Sequence, residues 1–199
     1  EGVAITFDDG FENLAGVGWP LLRERGFPAT VFVATDWAGR RNDWDAGDAR
    51  IPSLPLVGWD VLRELADEGL AVGSHSCAHV RLTPLDDARL ADELALSREA
   101  IQREIGAAPR AFAYPYGDHD ERVARAVRAA GYACAVTTEL RALDGREGAR
   151  FALPRLDGWY LAKPGVMEAW GSAAFRGYVL FRHAARRIRR SLAGPGFGS

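Results

Sequence analysis

Two cysteines in 199 residues, Cys77 and Cys134, leave no room for a disulfide framework, and no Cys-x-x-Cys pair offers a zinc or redox centre. No apolar run approaches the roughly 20 residues that a membrane-spanning helix needs. Internal repeats and low-complexity tracts are lacking too. Basic charge is scarce where nucleic acid would want it. The 25 Lys and Arg face 27 Asp and Glu, and no acid follows Glu168 while six arginines do. The first 168 residues therefore hold 19 basic and 27 acidic groups, or −8. An acidic body argues against nucleic-acid binding, because phosphate contacts want a basic face. The chain opens on Glu1 rather than Met, so it is silent on any targeting segment and on compartment.

What is present is enough apolar material, 48% with six Trp, nine Phe and five Tyr, to bury the core of one domain. Near-continuous apolar runs at 3–7, 29–34, 70–73, 111–114 and 132–137 read as parallel strands covered on both faces. Helical patterns lie between them. One runs from Trp59 to a cap at Gly69. A second opens on Thr83 and Pro84 and stops at Gly106. A third has Asp118 as N-cap with Glu121 three residues on, and ends at Gly131. Alternating strand and helix predicts an α/β fold with a parallel sheet, open or closed into a barrel. Residues 36–58, rich in Gly, Pro, Asp and Trp, break the rhythm, either as a substrate-facing wall or as a surface insertion. We divide the chain into a body, 1–170, and a tail, 171–199. The tail sets Tyr178, Phe181, Ala185, Ile188 and Leu192 at helical spacing with arginines on the other face. Such a helix either packs on its own domain or lies on an anionic membrane surface, and the closing "AGPGFGS" reads as frayed.

Polar clusters follow three of the strands, at the ends where parallel α/β folds build active sites. Asp8-Asp9-Gly10 follows the first, His75-Ser76-Cys77-Ala78-His79 the third, and Tyr114-Pro115-Tyr116-Gly117 the fourth. Two imidazoles four residues apart can share one metal ion. With one carboxylate they form a three-ligand set that leaves positions open for water and substrate. One of the paired aspartates would bind the metal, and the other would stand beside metal-bound water as a general base. The bland reading of Asp8-Asp9-Gly10 is a turn or helix cap. Pro115 and Gly117 shape a tight turn whose backbone N–H groups could face an oxyanion. His119 and His183 read as surface residues.

In this order the clusters resemble the polysaccharide deacetylase family, the NodB-homology domain of carbohydrate esterase family 4. Thr6-Phe7-Asp8-Asp9-Gly10 matches its first motif and His75-x-x-x-His79 its second. The run from Arg110 through Tyr114-Pro115-Tyr116-Gly117 resembles its third. The resemblance implies a distorted, incomplete (β/α) barrel of about five to seven parallel strands. It also implies hydrolysis of acetyl groups, usually N-acetyl, from a polysaccharide such as an exopolysaccharide or cell-wall glycan. Asp8 would be the catalytic base, and Asp9, His75 and His79 the ligands of a divalent metal, zinc by default with cobalt able to substitute. Arg110, Tyr114, Pro115 and Tyr116 would form the oxyanion and substrate-binding side. The location it implies is the cell envelope or outside. Three features depart from the pattern. No Leu-x-His motif supplies the catalytic acid, Ala113 stands where an arginine is common, and Asp157-Gly158-Trp159 only echoes the fourth motif. Two other readings stay open: a non-catalytic glycan-binding protein on the same scaffold, and a metal-dependent C–N hydrolase of a small amide.

Overall fold

The computed structural model describes residues 3–48, 50–141 and 150–193, and within the last helix it leaves aside the side chains of 187 and 189–193. Six strands form one sheet: β1 (Ile5–Phe7), β2 (Ala29–Val33), β3 (Ala71–Ser74), β4 (Ala111–Ala113), β5 (Cys134–Leu140) and β6 (Leu153–Arg155). They lie in chain order, and every neighbouring pair is parallel. The outer elements are α1 (Trp19–Glu24), α2 (Trp59–Asp67), α3 (Asp87–Ile105), α4 (Glu121–Ala129), the short α5 (Gly158–Leu161) and α6 (Ala173–Ala193). Strand order running from first to last without reversal is the topology of a barrel rather than of a doubly wound sheet. The curl brings the two edges together at one point. Arg155 at the end of β6 donates to Thr6 of β1 at 3.1 Å and to Asp8 just beyond it at 2.6 Å. The fold is a distorted, incomplete (β/α) barrel.

Its interior is small. Phe32, Ala113 and Val136 fill it, and Gly73 makes room for them: a Cβ there would sit 2.6 Å from the Phe32 ring. Outside, Val31, Val33, Leu62 and Leu65 join Leu14 and Trp19 in one cluster. Leu90, Leu94, Phe112, Val123, Val127 and Tyr132 form the other. Each such side chain contributes about 1.5–3 kcal/mol by leaving water, so both faces of the sheet are covered, as the unbroken apolar runs require.

Sequence periodicity missed β6, a three-residue edge strand containing Pro154. An edge tolerates proline because one side of its ladder has no partner to satisfy. It also placed two helix starts too early. Asp86, not Thr83, caps α3, accepting from Arg89 N at 2.8 Å. Asp120, not Asp118, caps α4 through Val123 N. Asp118 instead accepts from the Thr83 amide and hydroxyl at 2.9 and 2.7 Å, tying the two helix entries to each other. In α6 the expected apolar stripe is only partly packed. Tyr178 is half-buried and donates its hydroxyl to Tyr160 O at 3.2 Å, whereas Phe181 and Ile188 are exposed. Phe175 is buried, Arg182 stacks 4.2 Å over the Tyr160 ring and Arg186 approaches Asp157, so guanidinium groups share the inward side. The Leu192 side chain and residues 194–199 lie outside the described residues. No helix among those described is long and apolar enough to cross a membrane.

Candidate active site

The carboxyl ends of β1, β3, β4 and β6 converge, and the backbone there is bent out of its ordinary conformations. Among the described residues, four non-glycines have positive φ, and all four belong to this face: Asp9 (69°), Ser76 (66°), His79 (56°) and Tyr116 (59°). Left-handed geometry costs a side-chain-bearing residue about 1–3 kcal/mol and persists only where surroundings over-determine it. Here hydrogen bonds do so. Gly10 N donates back to Asp8 O at 2.8 Å, and His79 N donates to the Ser76 hydroxyl at 3.1 Å. Gly117 (φ 68°) leaves no room for a side chain unless its neighbours shift, since a Cβ would lie 2.1 Å from Thr138 Oγ1.

Asp9, His75 and His79 offer ligand atoms within 4.8 Å of one another. The Nε2 atoms of His75 and His79 lie 3.5 and 3.2 Å from the same Asp9 oxygen. That oxygen is buried, and no hydrogen bond satisfies it. The reason is visible at His75. Its Nδ1 sits 2.7 Å from the Ala113 carbonyl, which can only accept, so Nδ1 carries the proton. Burial, the largest influence, pushes the His75 pKa below its ordinary 6.5 despite the neighbouring aspartates, so the ring is neutral and Nε2 is a lone pair. A lone pair and a carboxylate oxygen aimed at one point repel each other unless a cation stands between them. Two imidazoles and a carboxylate, with an outer hydrogen bond orienting one ring, are a donor set that can hold a divalent cation.

Asp8 has a different partner. Arg155 grips it through two parallel bonds, Nη1 to Oδ1 at 2.6 Å and Nη2 to Oδ2 at 2.7 Å. Burial alone would raise the carboxyl's pKa. Burial is the largest single influence, but the Arg155 hydrogen bonds and the positive charge beside the group together outweigh it and hold the carboxyl below its ordinary 3.8. The adjacent aspartates thus divide their tasks: Asp9 points at the imidazoles, and Asp8 stays ionised against a guanidinium. Sequence reasoning missed Arg155. Its partner lies 147 residues away, and "LPR" carries no local signal. Together with Thr6, Thr137, Thr138 and Arg186 this pair lines a cavity of about 260 Å³.

Residues 36–48 and 50–58 form a wall of the site. Backbone bonds from Glu12 N to Pro55 O and from Val57 N to Gly10 O pin the segment beside Asp9. Its tip lays Trp44 on the His79 ring, centroids 4.2 Å apart, and Asp45 accepts from the Tyr116 hydroxyl at 3.0 Å. Trp37 Nε1 donates to Ala78 O inside the His-x-x-x-His turn.

Three of the expected substrate-side residues do not present their side chains openly at the site. Tyr114 is fully buried and its hydroxyl donates to Phe151 O, so it belongs to the core. Pro115 is buried as well and acts on the course of the chain. Arg110 precedes β4, so the strand carries it to the opposite end of the sheet from the site. Tyr116 does stand at the site, 4.8 Å from His79. Of the fourth-motif echo, Asp157 caps α5 and Trp159 is exposed.

The chain is 26% identical over 177 residues to YxkH of Bacillus subtilis, a protein provisionally assigned as a polysaccharide deacetylase, covering 89% of this chain and 56% of that one. It is 32% identical to a chitin deacetylase of Colletotrichum lindemuthianum over 57% of this chain and 41% of the fungal protein. It therefore spans about half the length of these relatives. Among solved structures, IcaB from Ammonifex degensii superposes with a TM-score of 0.66 at 26% identity, covering 87% of this chain and 72% of that one. The sequence profile described as polysaccharide deacetylase matches residues 1–135, and with the Asp-Asp and His-x-x-x-His clusters meeting at one strand end, the chain belongs to the polysaccharide deacetylase family.

Proposed function

We propose that this chain is a metal-dependent deacetylase that removes acetyl groups, N-linked in the first instance, from a polysaccharide. The observation that carries the reading is the convergence of Asp9, His75 and His79 on an unsatisfied carboxylate oxygen, with an ionised Asp8 beside them. When bound there, a divalent cation such as Zn²⁺, or Co²⁺ in its place, supplies Lewis acidity that polarises an acetyl carbonyl and acidifies water. Asp8 takes the proton from the attacking water. Arg155 keeps that carboxylate ionised and fixes both its oxygens. The Tyr116 amide, on its left-handed turn, faces the developing oxyanion. An amide leaving group needs a proton. The two imidazoles outside the ligand set, His119 and His183, both line a cavity of about 400 Å³ that shares Thr137, Thr138 and Arg186 with the Asp8 cavity.

The test is acetate release from N-acetylglucosamine oligomers by the zinc-loaded chain, with and without chelator. Chelator-sensitive release that Asp8→Asn abolishes is the expected result. A chain with zinc verifiably bound and no release would overturn catalysis on such glycans and favour a binding role. Turnover of small monomeric amides alone would move the substrate class.

A further inference from the structure

The two metal-side imidazoles are held differently. His75 is anchored through its outer nitrogen by the Ala113 carbonyl. His79 has no such anchor: its Nδ1 is buried without a hydrogen-bond partner. Where the His79 ring points is therefore decided by the backbone turn 75–79 and by Trp44 stacked on its face. That turn is left-handed at Ser76 and again at His79. Its amides Cys77 N and Ala78 N follow one another and aim the same way, forming a small anion-binding concavity of the kind successive N–H groups make after such a bend. One oxygen of Glu93 fills it, accepting from Cys77 N at 2.9 Å and from Ala78 N at 3.0 Å. Glu93 stands on α3 and is only 5% exposed. Its other oxygen lies 3.9 Å from the exposed Arg89. The turn's carbonyls are engaged from the opposite side, Ser76 O by Thr35 N and Cys77 O by Asp36 N. Among the described residues Glu93 is thus the one ionisable side chain hydrogen-bonded to the backbone of this turn.

From this we infer that Glu93 is a positioning residue for the metal centre. By holding the Cys77 and Ala78 amides it sets the direction of His79 and hence the affinity for the cation. The inference rests on the metal-site reading above. A buried carboxylate is an expensive way to satisfy two amides unless their position matters, because charge-assisted bonds restrict geometry more than neutral ones. Nothing local marks it either: Glu93 lies mid-helix, 14 residues beyond His79, in a sequence where an acid on an exposed face would be unremarked.

The test is zinc affinity of the full chain, measured by competition with a chromophoric chelator, alongside the melting temperature of each metal-free protein. Three variants separate the possibilities. Glu93→Ala removes the acceptor and is expected to weaken zinc binding about 10–100-fold, the usual effect of losing an outer-shell partner. Glu93→Asp keeps the charge but withdraws the oxygen by one methylene, and is expected to lose about tenfold. Glu93→Gln keeps an acceptor at full reach and is expected to stay within about threefold of the parent. If Glu93→Ala fails to fold, the Asp and Gln variants decide. Equal affinities in those two, or a larger loss in Gln than in Asp, overturn positioning by hydrogen bond. A parent chain that binds no zinc, or one whose His79→Ala variant binds as tightly, sinks the metal-site reading itself. Parent binding with a flat Glu93 series sinks only the role of Glu93.

Discussion

Replacing Arg155 with alanine removes the ion pair with Asp8 and the bonds to Thr6 Oγ1 and Thr137 O. Fully buried pairs lose about 3–5 kcal/mol when one partner is deleted, and exposed pairs about 1 or less. This pair lies between, with Arg155 18% and Asp8 31% exposed, so water can replace part of what is lost. We therefore expect Arg155→Ala to lower the unfolding free energy of the metal-free protein by about 2–3 kcal/mol, read from urea titration. The second consequence is chemical. With Arg155 gone, burial is the largest influence left on Asp8, and its sign is upward. The acid limb of kcat/KM for acetate release should therefore shift to higher pH. Arg155→Lys keeps the charge without the two-pronged geometry and should fall between the parent and the alanine variant. An alanine variant whose acid limb moves by less than about 0.3 units and whose stability changes by less than about 0.5 kcal/mol would refute the argument.

Asp9→Asn should weaken zinc binding at least about 100-fold. It should leave the metal-free melting temperature unchanged or higher, because it relieves an unpaired buried oxygen facing the His75 lone pair; a marked fall in that temperature would contradict the assignment of Asp9. The metal-free protein should lose stability as pH falls. His75 is depressed below 6.5, so the unfolded chain takes up its proton first, and the contribution of His75 is complete above 6.5 and lost below it. Asp8 adds a second loss as pH falls below 3.8, for the same reason. Stability that is flat from pH 7.5 to 5 in chelator would exclude a buried neutral His75. Gly117→Ala forces a Cβ to 2.1 Å from Thr138 Oγ1 at a left-handed position and should cost at least about 2 kcal/mol by urea unfolding. A cost below about 0.5 would mean that this turn yields.

The parts of the molecule legible in advance are those whose physics is local. Val31 to Val33 and Phe112 to Ala113 announce buried strands because apolar side chains on both faces leave no polar alternation. Asp8-Asp9-Gly10 and the spacing of His75 and His79 announce chemistry because those groups are too costly to collect at strand ends without use. Helix entry was less legible. In Asp118-His119-Asp120, two acids could cap, and the choice of Asp120 follows from Thr83 claiming Asp118 across 35 residues.

Where the chain curls, distance along the sequence stops mattering. Arg155 reaches Asp8, Trp44 covers His79, and Glu93 fills the turn beneath it. Each contact joins residues that no periodicity links. Arg110 shows the converse: adjacent in sequence to the site-forming strand β4, it is carried by that strand to the far end of the sheet. By itself the sequence determined which side chains could hold a cation and take a proton, since that depends on residue type and spacing of a few positions. The family resemblance assigns the two carboxylates their roles in advance, but the physical difference between Asp8 and Asp9 appears only in the tertiary structure, as a guanidinium delivered by the last strand of the barrel.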